Sequence, residues 1–327
     1  MKVGAAHIAL RSKDSAIVEG SDRAVTFGGK PGATLQPGVM LLSDPVELNV
    51  PALADVAVSL FFPDATGPTT NHATALHTTY ISKEGDTTGA PSMTDVTTTE
   101  QYYYLAGIDV MAPEKAVTIV TFGDSITDGA RSQNETNHAW PALLAARLAG
   151  KKETAHVAVA NVGIGGNRVL RDGSGVSALG RLDRDVLTQP GAKWMMLLEG
   201  INDIGREQRD PTEATSADEL IAAYRQMIER AHEQGIKVIG CTITPYEGAG
   251  YFLEKGEAIR AAVNQFIRTS KDFDAVADFD AAVRDPQSPR KIRADFDPGD
   301  HLHPNNAGYE AMANSINLAI FTGKKGK

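Results

Sequence analysis

Residues 116–129 read AVTIVTFGDSITDG: an apolar, β-branched run that stops abruptly at Gly123-Asp124-Ser125. Such a run reads as a strand buried on both faces, and the polar residues after it as a turn into a helix. The texture repeats downstream. PALLAARLAG (141–150) is an amphipathic helix with proline at its start. HVAVANVG (156–163) and KWMMLLEG (193–200) read as the next two strands. From Ser216 to Gln234 the spacing predicts the clearest helix. Ser216 and Glu219 suit a capping box, Leu220, Tyr224, Met227, Ile228 and Ala231 share one face, and Gly235 ends it. IKVIGCTI (236–243) follows as a strand, then a helix through Ile259, Val263 and Phe266, a short strand AVADF (275–279), and a helix carrying Met312, Ile316 and Ile320. Alternating strands and helices imply an α/β domain with a parallel sheet covered on both faces.

Upstream of Pro113 the pattern is different. Val46, Leu48 and Val50 alternate with Glu47 and Asn49, and Val56, Val58, Leu60 and Phe62 alternate likewise. TTTEQYYYLAGIDV (97–110) adds an aromatic, β-branched run, and Gly28-Gly29, Pro37-Gly38 and Gly85-Asp86 mark turns. We read two domains: 1–112, a small antiparallel, sandwich-like β domain, and 113–327, the α/β domain. The Gly- and Thr-rich stretch around 84–98 is expected to be a loop.

Composition narrows the function. With 42% hydrophobic and 22% charged residues the chain is globular rather than disordered. A formal charge of −9 disfavours a nucleic-acid partner, and the basic KKGK end (324–327) reads as a solvated tail. No apolar run approaches the roughly 20 residues of a membrane span. The first fifteen residues lack the apolar core and cleavage site of a signal peptide. As it stands the chain reads as cytoplasmic, and as secreted if the native start lies further upstream. Cys241 is the only cysteine, which excludes an internal disulfide and paired-cysteine metal or redox motifs. Its apolar neighbours make it a core residue. Residues 1 onward already read as strand, an edge that a second copy could pair, so a homo-oligomer is compatible with the sequence.

In an open parallel sheet, ligands bind beyond the carboxyl ends of the strands. Four polar clusters fall there: Gly123-Asp124-Ser125, Asn161-Val162-Gly163-Ile164-Gly165-Gly166-Asn167, Glu199-Gly200-Ile201-Asn202-Asp203 and, ahead of the last helix, Asp300-His301-Leu302-His303-Pro304-Asn305. Acyl transfer needs a nucleophile, a base, a group to orient the base, and donors for the developing oxyanion. Ser125 at a strand-to-helix turn can expose its hydroxyl and offer its own N–H. Gly166 lets a loop present a second N–H, and Asn202 can supply a side-chain amide. His303 can take the serine proton, and Asp300, three residues earlier, can hold the imidazole in one tautomer. The G-x-S-x-G elbow, G-x-G-x-x-G, GxxxxGK[ST] and HExxH are absent, so other hydrolase, nucleotide and metal readings find no motif.

GDSIT, NVGIGGN, GIND and DHLHPN resemble, in order, the successive blocks of the SGNH (GDSL) hydrolase superfamily, from about residue 116 to the carboxyl end. The resemblance implies a flavodoxin-like α/β/α sandwich and a serine esterase of the carboxylic ester hydrolase class. It implies Ser125 as nucleophile, His303 as base, Asp300 as its partner, and Ser125 N–H, Gly166 N–H and Asn202 as oxyanion donors. It implies no metal or organic cofactor. It also selects among neighbours: D-x-x-H picks Asp300 over Asp295 and Asp297, Pro304-Asn305 picks His303 over His301, and the place before Asn167 picks Gly166 over Gly163 and Gly165. GDSI stands where GDSL is usual, a volume-conserving change. Ile201 stands where a second glycine is common, which narrows the space beside Asn202.

The substrate expected is a small ester with a short acyl chain: an acetyl or aryl ester, or an acetylated sugar. Two other readings stand beside it. One is an SGNH thioesterase or lysophospholipase. The other is a carbohydrate-binding or adhesion module on a hydrolase scaffold, with Tyr102, Tyr103 and Tyr104 as stacking residues. Consecutive strand residues face opposite sides, which weighs against one tyrosine platform. Asp124 and Asp203 are read as scaffold residues, and Arg168 as half of a surface ion pair.

Overall fold

The computed structural model describes residues 1–322, and the chain falls into two compact units, Met1–Ile108 and Asp109 onward. The basic tail lies outside the described residues.

The first unit is built from short antiparallel strands: β1 (Lys2–Val3), β2 (Ala5–Lys13), β3 (Ala16–Ile17), β4 (Arg23–Val25), β5 (Ala33–Thr34), β6 (Val56–Phe61), β7 (Asn71–His72), β8 (Thr79–Ile81), β9 (Thr97–Thr99) and β10 (Tyr102–Tyr103). β2 pairs with β3, β4 and β6 in a four-stranded sheet, while β1–β5, β7–β10 and β8–β9 are two-stranded ladders. Its buried core is small, Val3, Ala6 and Val25, with Ile8, Phe27, Val46, Leu60 and Phe62 packed against it. Residues 46–50 alternate in exposure as expected but form no strand. Pro45 and Pro51 bracket them, and Leu48 N–H turns back to the Val46 carbonyl, so the segment cannot join a ladder. Tyr104 takes a left-handed φ of 61° that ends the strand, and its ring sits edge-on to Phe62 at 5.2 Å.

The second unit contains one five-stranded sheet, β12-β11-β13-β14-β15, parallel throughout: β11 (Val117–Gly123), β12 (Val157–Asn161), β13 (Ala192–Leu198), β14 (Lys237–Cys241) and β15 (Ala275–Ala277). In order of appearance this is 2-1-3-4-5, the flavodoxin-like winding, which places the switch point between β11 and β13. Along β13 the apolar run divides by pleat. Met195 and Leu197 join one core with Leu220, Tyr224 and Met227, and Met196 and Leu198 join the other with Trp140, Leu144 and Met312. That division explains why the strand is apolar without alternation. Cys241 is buried at the end of β14. No helix of the described residues is long and apolar enough to cross a membrane.

The helices are α1 (Ser125–Asp128), α2 (Trp140–Ala149), α3 (Ala178–Leu182), α4 (Ile201–Arg206), α5 (Ala217–Glu233), α6 (Glu254–Thr269), α7 (Phe279–Val283) and α8 (Asn306–Ser315). The last helix is shorter than its apolar spacing predicts. It stops at Ser315, and Asn317 caps a separate 3-10 turn that carries Ile320. At the start of α5 the capping box is complete: Ser216 Oγ accepts the Glu219 N–H at 3.2 Å and Glu219 Oε2 accepts the Ser216 N–H at 2.8 Å. Ser216→Ala is expected to cost about 1 kcal/mol, seen as a lower urea midpoint at an unchanged m-value.

Candidate active site

Three neighbouring strands deliver the polar clusters to one edge of the sheet. β11 ends at Gly123, and Asp124 caps α1 by accepting the Ile126 N–H at 2.9 Å. This puts Ser125 at the first helical position, its hydroxyl free of the capping bond. Burial pushes the Asp124 carboxyl up, against the opposing Ile126 bond.

Ser125 Oγ lies 2.8 Å from His303 Nε2, and His303 Nδ1 lies 2.9 Å from Asp300 Oδ2. The carboxylate accepts at Nδ1, so the ring carries its proton there and Nε2 is the acceptor for the serine hydroxyl. Asp300 Oδ1 takes the backbone N–H groups of Leu302 (3.1 Å) and His303 (3.0 Å), and Oδ2 also takes Arg131 Nε at 2.9 Å. Burial raises the Asp300 carboxyl, but the bonds from the His303 N–H, the His303 ring and Leu302 outweigh it and hold it at about 2. It therefore stays ionised across the useful pH range. The two segments that meet here are tied together. Tyr309 on α8 donates its hydroxyl to the Ala130 carbonyl at 2.6 Å, and Asn306 Oδ1 accepts the Gln133 N–H at 2.8 Å.

The rivals are engaged elsewhere. Asp297 bonds His301 Nδ1, and Asp295 pairs with Arg293.

The loop after β12 folds over the Ser125 turn. At Gly163 a Cβ would stand 2.3 Å from the Asp128 backbone nitrogen, so only glycine permits this approach. Gly166 sits at φ +75°, and a Cβ there would press on Ser174. Asn167, buried, donates to the Ser174 and Val176 carbonyls and so closes the loop on itself. From the end of β13, Asn202 Nδ2 donates to the Asn167 carbonyl at 2.9 Å. The second N–H of that amide takes no partner among the described residues. Asp203 accepts the Val169 and Leu170 N–H groups at 2.7 and 3.1 Å, the scaffold work its type suggested. Burial pushes its carboxyl up to about 6, with those two bonds opposing. Arg168 does form an ion pair, with Glu213 at 3.0 Å, half-buried with side chains 11% and 24% exposed.

Four polar residues at the site were given no role from sequence: Arg131 and Arg181, outside the polar clusters, and Asn161 and Glu199, which open two of them. Asn161 clamps both sides, donating to the Thr127 carbonyl and accepting the Gly163 N–H. Its signal was its place at the end of a strand. Arg181 and Glu199 place ionisable groups in the interior, which no periodicity reveals, and burial pushes the Glu199 carboxyl well up.

Residues 121–311, more than half of the chain, match the model of the GDSL-like lipase/acylhydrolase family. The chain belongs to this family. It is an enzyme, a serine carboxylic ester hydrolase. Solved structures with the same fold include an alpha/beta hydrolase from the metagenome of Lake Arreo, Spain, at 22% identity over 65% of this chain and 97% of that one, with a TM-score of 0.50. A mutant of an acetyl-xylooligosaccharide esterase from Geobacillus stearothermophilus matches at 20% identity over 64% and 95% of the two chains, also at 0.50. No curated protein matches the chain. At such identities the structural likenesses speak for the fold alone, and the GDSL assignment rests on the family match.

Proposed function

We propose that this enzyme hydrolyses short-chain acyl esters through an acyl-enzyme on Ser125, with 113–327 as the catalytic domain and 1–112 as a β-rich accessory domain. The observation that carries the reading is the unbroken relay Ser125 Oγ, His303 Nε2, His303 Nδ1, Asp300 Oδ2, at 2.8 and 2.9 Å. His303 accepts the serine proton as Oγ bonds to the acyl carbon. Asp300 stabilises the imidazolium so formed. The oxyanion is met by the Ser125 and Gly166 N–H groups and the Asn202 amide. Collapse expels the alcohol, which takes the proton from His303 Nε2. A water then attacks the acyl-enzyme by the same route in reverse, releasing the acid.

Surface character favours a small polar ester. Of the large apolar side chains that are exposed, those from Asp109 onward are Val110, Met111, Val176 and Val276. Within that unit these four are too few for a broad apolar face at a lipid interface, whereas the first unit exposes the run Val39, Met40, Leu41 and Leu42. Acetyl, aryl and acetylated-sugar esters are therefore the substrates to test. On p-nitrophenyl acetate, butyrate and octanoate, kcat/KM is expected to fall by at least about tenfold from acetate to octanoate. A fluorophosphonate should add to Ser125. An octanoate optimum would overturn the chain-length assignment, and a label on another residue would overturn the nucleophile.

A further inference from the structure

We propose that Arg181 is a positioning residue of this reaction: it sets the spacing of the three oxyanion donors by tying together the strand ends that carry them. The inference rests on the nucleophile and donor assignments above.

Arg181 lies on α3, outside all four polar clusters, and its side chain is fully buried. Its guanidinium reaches each neighbouring strand end. Nη2 donates to the Gly123 carbonyl at 3.0 Å, two residues before Ser125. Nη1 donates to the Val162 carbonyl at 2.7 Å, just after β12, and Nε donates to Asn167 Oδ1 at 2.9 Å. Nη2 also lies 3.6 Å from Glu199, the residue that follows β13, three before Asn202. Asp185 closes the set, 3.1 Å from Nη1, and the guanidinium stacks on the Phe122 ring 4.2 Å from its centroid. Two of the three donor segments are thus hydrogen-bonded within one to four residues of their donors, and the third is met only by the 3.6 Å approach to the Glu199 carboxyl. The Asn202 amide is in turn held by the carbonyl of Asn167, whose side chain Arg181 holds.

The chemistry calls for arginine. The Gly123 and Val162 carbonyls, at the ends of two parallel strands, take donors from outside the sheet ladder. A planar fork with five N–H groups meets several at once in fixed relative positions, whereas an ammonium is a point charge with three rotatable donors. Burying the cation is tolerable because Asp185 supplies countercharge at 3.1 Å; burial pushes the Glu199 carboxyl well up, so that group is no firm counter-ion. A rigid cross-tie at this place keeps the donors from relaxing around the ground-state carbonyl, which is what electrostatic preorganisation requires.

The test is Arg181→Lys, with Asp185→Asn as a milder variant that loosens the clamp from its more exposed side. Competent sites are counted by end-point fluorophosphonate labelling, and turnover of p-nitrophenyl acetate is expressed per labelled site. A merely structural residue would lower the labelled fraction or the Tm and leave the per-site rate alone. A positioning residue lowers per-site kcat with little change in KM. For Arg181→Lys the expected loss is about 10- to 100-fold, below the 10²–10³ of deleting one oxyanion donor. For Asp185→Asn it is about 3- to 10-fold, and this variant decides the matter if the lysine variant does not fold. A wild-type per-site kcat in the folded variants, or a loss confined to KM, overturns the role of Arg181. A wild-type enzyme that takes no label at Ser125 overturns the assignment beneath it instead.

Discussion

Ser125→Ala and His303→Ala are each expected to lower kcat on p-nitrophenyl acetate by about 10⁴- to 10⁶-fold, and the double variant to be no slower than the worse single one. The two groups share one proton, 2.8 Å apart, so either deletion removes the whole proton-transfer unit. What remains is the work of the oxyanion donors and of binding, which neither substitution touches, so a residual rate above that of water should survive. Folding is not at stake in the serine variant. Ser125 occupies the first turn of a four-residue helix whose cap is Asp124, and the Asp124–Ile126 bond does not involve the deleted hydroxyl. Thermal unfolding alongside the kinetics separates the two effects. If the losses in the double variant instead multiply, the residues act independently and the relay is wrong.

The parallel sheet and its polar edge were legible because each strand buried on both faces ends sharply in glycine and polar residues, as β11 does at Gly123 and β13 does at Glu199-Gly200. Long-range order was less legible. That β12 lies outside β11, and β13 inside it, depends on right-handed crossovers and on which helix covers which face, not on any local pattern. In the first unit alternation misled at residues 46–50, which Pro45 and Pro51 bracket and where the Leu48 N–H turns back to the Val46 carbonyl instead of bonding a neighbouring strand. Helix α8 ended early for a local reason: Asn317 offers its side chain to the Ala319 N–H and starts a new turn. At the site, the residues proposed to act lie at the starts of α1 and α4 and in the loops before α3 and α8, and residue type and spacing were enough to propose them. Arg181 could not be read in this way. In LGRLDRDVL an arginine every third residue looks like a solvated face, yet Arg181 is enclosed while Arg184 is half exposed.

Asp300→Asn is expected to lower kcat by about 10⁴-fold, and to be at least as damaging as Asp300→Ala. The reason is the donor count around the carboxylate. All four of its contacts are N–H groups: Leu302 and His303 backbone on Oδ1, the His303 ring and Arg131 Nε on Oδ2. An asparagine must turn its –NH₂ toward one pair. The backbone pair is rigid, so the carbonyl oxygen stays there and the amide nitrogen faces the imidazole. Two donors cannot share that bond, and His303 answers by moving its proton from Nδ1 to Nε2. Nε2 then points an N–H at Ser125 Oγ and can no longer accept its proton. Alanine leaves a gap that water fills, and the ring keeps access to either tautomer, so some molecules remain competent. Kinetics on both variants, with the tautomer of His303 read from imidazole nitrogen NMR shifts, checks the sequence of causes. An asparagine variant more active than the alanine variant, or one that keeps the proton on Nδ1, would show that Asp300 acts by charge alone and not by fixing the tautomer.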